Sequence, residues 1–207
     1  DPVLAQHKLA AGRGDPQVAE RLVELVTLQD DSRLLLEVLV ALGRLRWSDS
    51  AAWLSRYWPN VKRDSALNHA AMQLLRRSDN WPAVLQLLDS ADDESEHGPG
   101  LHELALLAIA NQPQEQIVDG LLARLQDEKD AQRRAEYADA LARVYKKPAR
   151  WTYWGFRPPP RPAHPDSWEK TGIIETALDG ALADPNPIVR LAALVQMRRE
   201  AVPVKLS

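Results

Sequence analysis

Three places in the chain hold residue types whose spacing could support chemistry. His97 and His102 stand five apart across Gly98-Pro99-Gly100, with Glu96 and Glu103 beside them. Two imidazoles and a carboxylate can share a metal ion, but helix-borne ligands stand three or four apart and no second motif supports these. No metal site is expected. Asp89, Asp92, Asp93, Glu94 and Glu96 form an acidic run next to glycines. It lacks the alternating ligands and terminal bidentate glutamate of a calcium loop, and so reads as a solvated link between helices. The third place is residues 147–169, where Trp151, Tyr153, Trp154, Phe156, Arg157, Arg161 and Trp168 are set among six prolines.

Other chemistries are excluded by absence. The sequence contains no cysteine, which removes thiol nucleophiles, dithiol redox pairs, thiolate zinc sites and covalent haem attachment. His7, His69 and His164 are isolated, and no Ser/His/Asp spacing suggests an activated nucleophile. No catalytic residue and no cofactor are assigned.

Composition favours neither a disordered nor a membrane-spanning chain. Hydrophobic residues make up 45% and charged residues 27% of 207, which is ordinary for a globular protein. A net charge of −3 argues against a general nucleic-acid binder, which carries a basic excess. No apolar run approaches the roughly 20 residues that span a bilayer. The opening Asp1-Pro2-Val3 does not resemble a translational start, so a fragment or processed form is expected. Freedom from cysteine suits a periplasmic or exported bacterial protein as well as a cytoplasmic one.

Short amphipathic helices must position all of these residues. Within residues 16–46, Val18, Leu22, Leu25 and Leu28 recur at helical spacing, then Leu35, Val38, Leu39 and Leu42, with Asp30-Asp31-Ser32 between them. So short a polar link folds two helices back as an antiparallel pair. Further pairs are predicted at residues 49–58 and 62–77, 81–89 and 99–111, 113–126 and 130–146, and 171–183 and 187–200. Prolines in Asp15-Pro16, Asn80-Trp81-Pro82 and Asn186-Pro187 mark helix starts, where a missing N–H costs nothing.

The second helices align on one pattern. Leu34-Leu35-x-x-Val38-x-x-Ala41-Leu42, Leu101-x-x-x-Ala105-x-x-Ala108-Ile109, Arg133-Arg134-x-x-Tyr137-x-x-Ala140-Leu141 and Val189-Arg190-x-x-Ala193-x-x-Gln196-Met197 superpose, with a weaker copy from Asp64. The steps are about 30, 37, 32 and 56 residues, a repeat period except at the last, which contains an insertion. Trp47, Trp53, Tyr57, Trp58 and Trp81 fall in the second and third pairs. Trp53 and Trp58 are five apart and cannot share one helical face, so one is expected to be partly exposed or to pack on a neighbouring pair.

The stretch Ala183-Asp184-Pro185-Asn186-Pro187-Ile188-Val189-Arg190-Leu191-Ala192-Ala193-Leu194 resembles the HEAT repeat, in which an Asp-Pro turn leads into a second helix opening with Val-Arg. The resemblance implies an all-α fold, a right-handed α-α superhelix of about five pairs spanning residues 1–207. It also implies a scaffold that binds other proteins. Ala192 and Ala193 would let helices approach, while Asp184 and Arg190 would hydrogen-bond between repeats and satisfy helix ends.

Residues 147–169 interrupt that array. Their prolines forbid helix, and a plain linker would not carry so many aromatics, so an ordered loop is expected. Trp154-Gly155-x-x-Pro158 and Trp168-Glu169 resemble a segment in large multidomain proteins of planctomycete-type bacteria, where HEAT repeats sit between a membrane-bound dehydrogenase-type propeller and a cytochrome c domain. The haem-attachment motif of those proteins is absent here, and their redox chemistry does not carry over. Two readings remain open: the aromatics cover the groove of the array, or Trp151, Tyr153, Trp154, Arg157, Arg161 and Trp168 form a recognition surface for a protein or peptide. Proline-rich peptide, sugar and single-stranded nucleic acid are further ligands for such a surface, nucleic acid being disfavoured by the charge balance. The expected function is a non-catalytic interaction scaffold. The alternative is a helical-repeat enzyme of DNA glycosylase type, which needs a basic groove with an acid at its base.

Overall fold

The computed structural model describes residues 14–27, 31–58, 64–92, 98–149 and 166–204. Among them the chain is all-helical, with an isolated bridge between Lys147 and Asp166 as the sole β pairing. Ten α-helices are described: α1 (Pro16–Thr27), α2 (Ser32–Leu45), α3 (Ser50–Tyr57), α4 (Ser65–Ser78), α5 (Trp81–Gln86), α6 (Gly98–Ile109), α7 (Glu115–Asp127), α8 (Ala131–Arg143), α9 (Thr171–Leu182) and α10 (Pro187–Arg199). No described helix is long and apolar enough to cross a membrane. The chain divides into two compact units, Asp1–Ile109 and Ala110–Ser207.

Local chemistry starts these helices where the sequence indicates. The side-chain oxygens of Asp31, Asp64, Asn80, Asp130 and Asn186 accept from amides of the first turns of α2, α4, α5, α8 and α10, satisfying donors that have no partner within the helix. The second helix of a pair ends on a left-handed residue: Arg46 after α2, Asp79 after α4, Asn111 after α6 and Ala201 after α10. Such a residue turns the chain sharply back. α8 lacks one, because its C-terminus runs into the irregular segment 144–149 instead of a tight turn.

In the first unit, α2 packs on α4 and α4 on α6. The core joins Leu35, Val38, Leu39 and Leu42 of α2 to Leu67, Ala71, Leu74 and Leu75 of α4, and to Leu101, Leu104, Ala105 and Ala108 of α6. The helix predicted over residues 81–89 is α only to Gln86 and tightens to a 3-10 helix over Leu87–Asp92. The tighter winding lies against α6 with Leu87 and Leu88 buried, a tertiary demand that propensity does not encode.

In the second unit, α8 packs on α7, α9 and α10. Its buried face is rich in small residues (Ala135, Ala138, Ala140, Ala142) around Tyr137 and Leu141, which lets helices approach closely. Ile174, Leu178, Val189, Ala193 and Met197 close the core from α9 and α10.

Candidate interaction surfaces

Polar bonds tie one pair to the next in the first unit, and their sequence separations repeat. Tyr57 Oη donates to Val26 O at 2.8 Å, 31 residues away. Arg46 Nε donates to Arg77 O at 3.4 Å, again 31 away, and Asn80 Nδ2 to Ser48 O at 3.0 Å, 32 away. Arg76 uses two nitrogens: Nε donates to Ala108 O at 3.0 Å and Nη2 to Leu107 O at 2.9 Å. It thereby caps the C-terminus of α6 from α4, and burial pulls its pKa below the usual value. The separations across these contacts are thus all 31 or 32 residues.

The tryptophan-rich second pair is part of this packing. Trp53 stacks on Tyr57 with centroids 5.2 Å apart and Trp47 tilts onto Trp53 at 6.2 Å. Trp81 Nε1 donates to Asp79 Oδ1 at 3.1 Å. Trp53 and Trp58 are both buried. Trp58 lies just beyond the end of α3, with its Nε1 beside Gly100 of α6, so it packs on the neighbouring pair, one of the two outcomes that the five-residue spacing leaves. His102 is also structural: it is buried, with Nδ1 2.7 Å from Leu88 O. No group of three potential metal-ligating side chains occurs among the described residues.

Between α2 and α4 the first unit carries an open groove of about 400 Å³. Leu36, Leu39, Val40, Gly43, Ala70 and Leu74 form its apolar part, and Arg44, Arg77, His69 and Gln73 its polar part. The helices come close at Gly43, where an added Cβ would lie 3.6 Å from Leu74 Cα. Among the described residues no carboxylate lines the groove, and Arg44 and Arg77 at its edge could pair with an anionic group on an otherwise apolar ligand. Sequence reasoning missed it. The available signal was Leu36, Val40 and Gly43, an apolar strip beside the core stripe of α2 and broken by a residue with no side chain.

In the second unit the residues of the repeat-like signature form a cluster of their own. Arg134 of α8 grips Asp184 with a bidentate fork, Nε to Oδ2 at 2.9 Å and Nη2 to Oδ1 at 3.2 Å. The Arg134 hydrogen bond holds the Asp184 carboxyl below its usual pKa, helped by the Asn186 amide. Arg190 Nη1 donates to Asp184 O at 2.7 Å and Pro185 O at 2.9 Å. Asp184 therefore links α8 to the turn before α10, as expected of it, whereas Arg190 braces the turn of its own pair and makes no hydrogen bond to another pair among the described residues.

Of the candidate recognition residues, Trp151, Tyr153, Trp154, Arg157 and Arg161 lie outside the described residues. Trp168 stands at the base of the insertion, half-buried. Its Nε1 donates to Val144 O at 3.0 Å and Lys147 Nζ sits 4.1 Å over its ring. Lys147 and Asp166 exchange backbone hydrogen bonds of 2.9 and 2.8 Å, so the two ends of the insertion are drawn together. Thr171 Oγ1 donates to Tyr145 O, and Tyr145 Oη donates to Glu175 Oε1 at 2.6 Å. Burial, then that bond, pushes the Tyr145 phenol up to about 12. No family model matches the chain and no curated protein matches it, so a functional reading stands on this geometry.

Proposed function

We propose that the chain is a non-catalytic protein-binding scaffold, a right-handed superhelix of HEAT-like pairs that serves as a segment of a larger multidomain protein. Repeated polar links at intervals of 31 or 32 residues and the Arg134–Asp184–Arg190 cluster support the repeat reading. The single observation that carries the binding reading is the open apolar groove between α2 and α4, edged by Arg44 and Arg77. Its ligand is an amphipathic peptide that buries aliphatic side chains against Leu36 and Val40 and offers a carboxylate to the arginines. The aromatic insertion, tethered at its base by Trp168, is a second contact surface of the same scaffold. The glycosylase alternative calls for an acid at the bottom of a basic groove, and the described residues that line this groove include none.

The test is capture of partners by the intact chain, comparing wild type with Arg44→Glu/Arg77→Glu and with Val40→Trp, which fills the groove. Partners lost on both changes, with helical content and melting temperature kept, uphold the reading. Capture that is indifferent to both would sink it.

A further inference from the structure

The groove between α2 and α4 has two unlike ends. Gly43 lies against Leu74, and Arg46 Nε bonds Arg77 O. Positions 31 apart therefore face one another, and the two helices run parallel. Arg44 and Arg77 accordingly stand together, in the last turns of α2 and α4. The stem of Arg77 also reaches toward its neighbour: a Cβ on Gly43 would lie 3.6 Å from Arg77 Cδ. The missing side chain at Gly43 leaves room for one arginine beside the other. At the far end the described lining is Leu36 and Ala66, with His69 a turn in.

The charges around the arginine end are engaged elsewhere. Arg46 pairs with Asp79 at 3.7 Å, Asp49 accepts from Ser48 Oγ at 3.2 Å, and Arg76 is bonded to the carbonyls of α6. The guanidinium groups of Arg44 and Arg77 make no hydrogen bond or ion pair among the described residues. Two like charges are thus gathered at one end of an apolar groove without a counter-charge, an arrangement that an anion from outside would relieve. The room is limited. From Leu36 to Arg44 the groove runs about 12 Å at the usual helical rise, and an extended peptide covers that distance in about three to four residues. Past the arginines the way is crossed by Arg46, which reaches from the end of α2 to Arg77 O at the end of α4.

We infer that this groove receives the last few residues of a partner chain. Their aliphatic side chains lie against Leu36 and Val40, and the terminal α-carboxylate sits between Arg44 and Arg77, where two guanidinium forks can share its two oxygens. The inference rests on the groove reading above and narrows it from an acidic amphipathic peptide to a free C-terminus. Length favours the terminal carboxylate over an aspartate or glutamate side chain. A chain that ends at the arginines stops where the groove stops, whereas an internal segment would carry its backbone on across Arg46. The amino end of the bound segment then points toward Ala66.

The probes are three pools of peptides, each with four positions varied among Ala, Val, Leu and Ile behind a Gly-Ser-Gly spacer. One pool ends in the free acid and one in the amide. The third places Asp after the varied positions and runs on through Gly-Ser-Gly to an amide. Passed over the immobilised intact chain, the free-acid pool should be retained, and its best members should bind roughly tenfold or more weakly as amides. Arg44→Gln and Arg77→Gln should each weaken binding by roughly tenfold, and Val40→Trp should abolish it, with helical content unchanged in all three. A nitroxide on the amino end of the peptide should broaden the amide resonance of Ala66 and spare that of Arg77. Equal retention of the amide or internal-Asp pool, still lost in Val40→Trp, overturns the terminal-carboxylate inference and leaves the groove reading standing. A reversed nitroxide pattern overturns it too. Retention of no pool also overturns it, and the groove reading is then judged by the capture of partners described above. Retention indifferent to Val40→Trp sinks both.

Discussion

Arg76 offers the sharpest test of how the pairs are locked together. Its guanidinium leaves α4 and donates from Nε and Nη2 to Ala108 O and Leu107 O, two carbonyls at the C-terminus of α6. Arg76→Met keeps the aliphatic stem and removes the fork. A hydrogen bond from a charged donor contributes about 1.5–3 kcal/mol, the lower end applying where water can reach the abandoned acceptor. Arg76 is only half-buried, so about 1–1.5 kcal/mol per bond is the appropriate share, and the substitution should cost about 2–3 kcal/mol. Arg76→Lys retains charge at the negative end of α6 but cannot span both carbonyls, and should recover about half. By contrast, the Arg21–Glu24 pair has side chains 81% and 60% exposed, and Arg21→Ala should stay within about 0.5 kcal/mol of wild type. Urea titrations followed by tryptophan fluorescence measure this, since Trp47, Trp53, Trp58 and Trp81 all lie in the first unit. A loss below about 0.5 kcal/mol for Arg76→Met, or a lysine variant equal to wild type, would refute the claim that the fork joins the two helices.

Two further predictions concern backbone and pH. Gly180 lies inside α9 with open space where a Cβ would stand, so Gly180→Ala should stabilise by about 0.5–1 kcal/mol. Ala201 is left-handed at φ 52°, so the opposite exchange, Ala201→Gly, should also stabilise, by up to about 1 kcal/mol; thermal melts check both, and a fall in melting temperature for either counts against the local reading. The Tyr145 phenol is raised to about 12, so the unfolded chain releases this proton first as pH climbs past about 10. The stability tied to it is complete below pH 10 and is lost as pH rises toward 12. The gap between wild type and Tyr145→Phe should therefore shrink over that interval, and parallel curves would contradict the assignment. Asp184 runs the other way: its lowered pKa gives stability that is present above the ordinary carboxylate range and lost as pH falls through the folded value. Asp184→Asn should remove that part of the acid transition.

The helices and their ends were legible because the forces that set them are local. Asp31, Asp64, Asn80, Asp130 and Asn186 cap helices from adjacent residues, and the apolar spacing marks the buried stripe of α2 but not of α1, where Val18 and Leu25 are exposed and Ala19 and Val26 are buried. Other features depended on distant partners. The 3-10 winding over Leu87–Asp92 answers to α6, and the fate of Trp58 was decided by its position beside Gly100, 42 residues on in the chain. Most of all, nothing in the neighbouring sequence distinguishes Arg134 from Arg190. Both follow a cap, and both bond the carbonyls five and six residues back. Only the arrangement of helices brings the Asp184 carboxylate to the fork of the first, because a hydrogen bond across fifty residues of chain is a property of packing and not of sequence spacing.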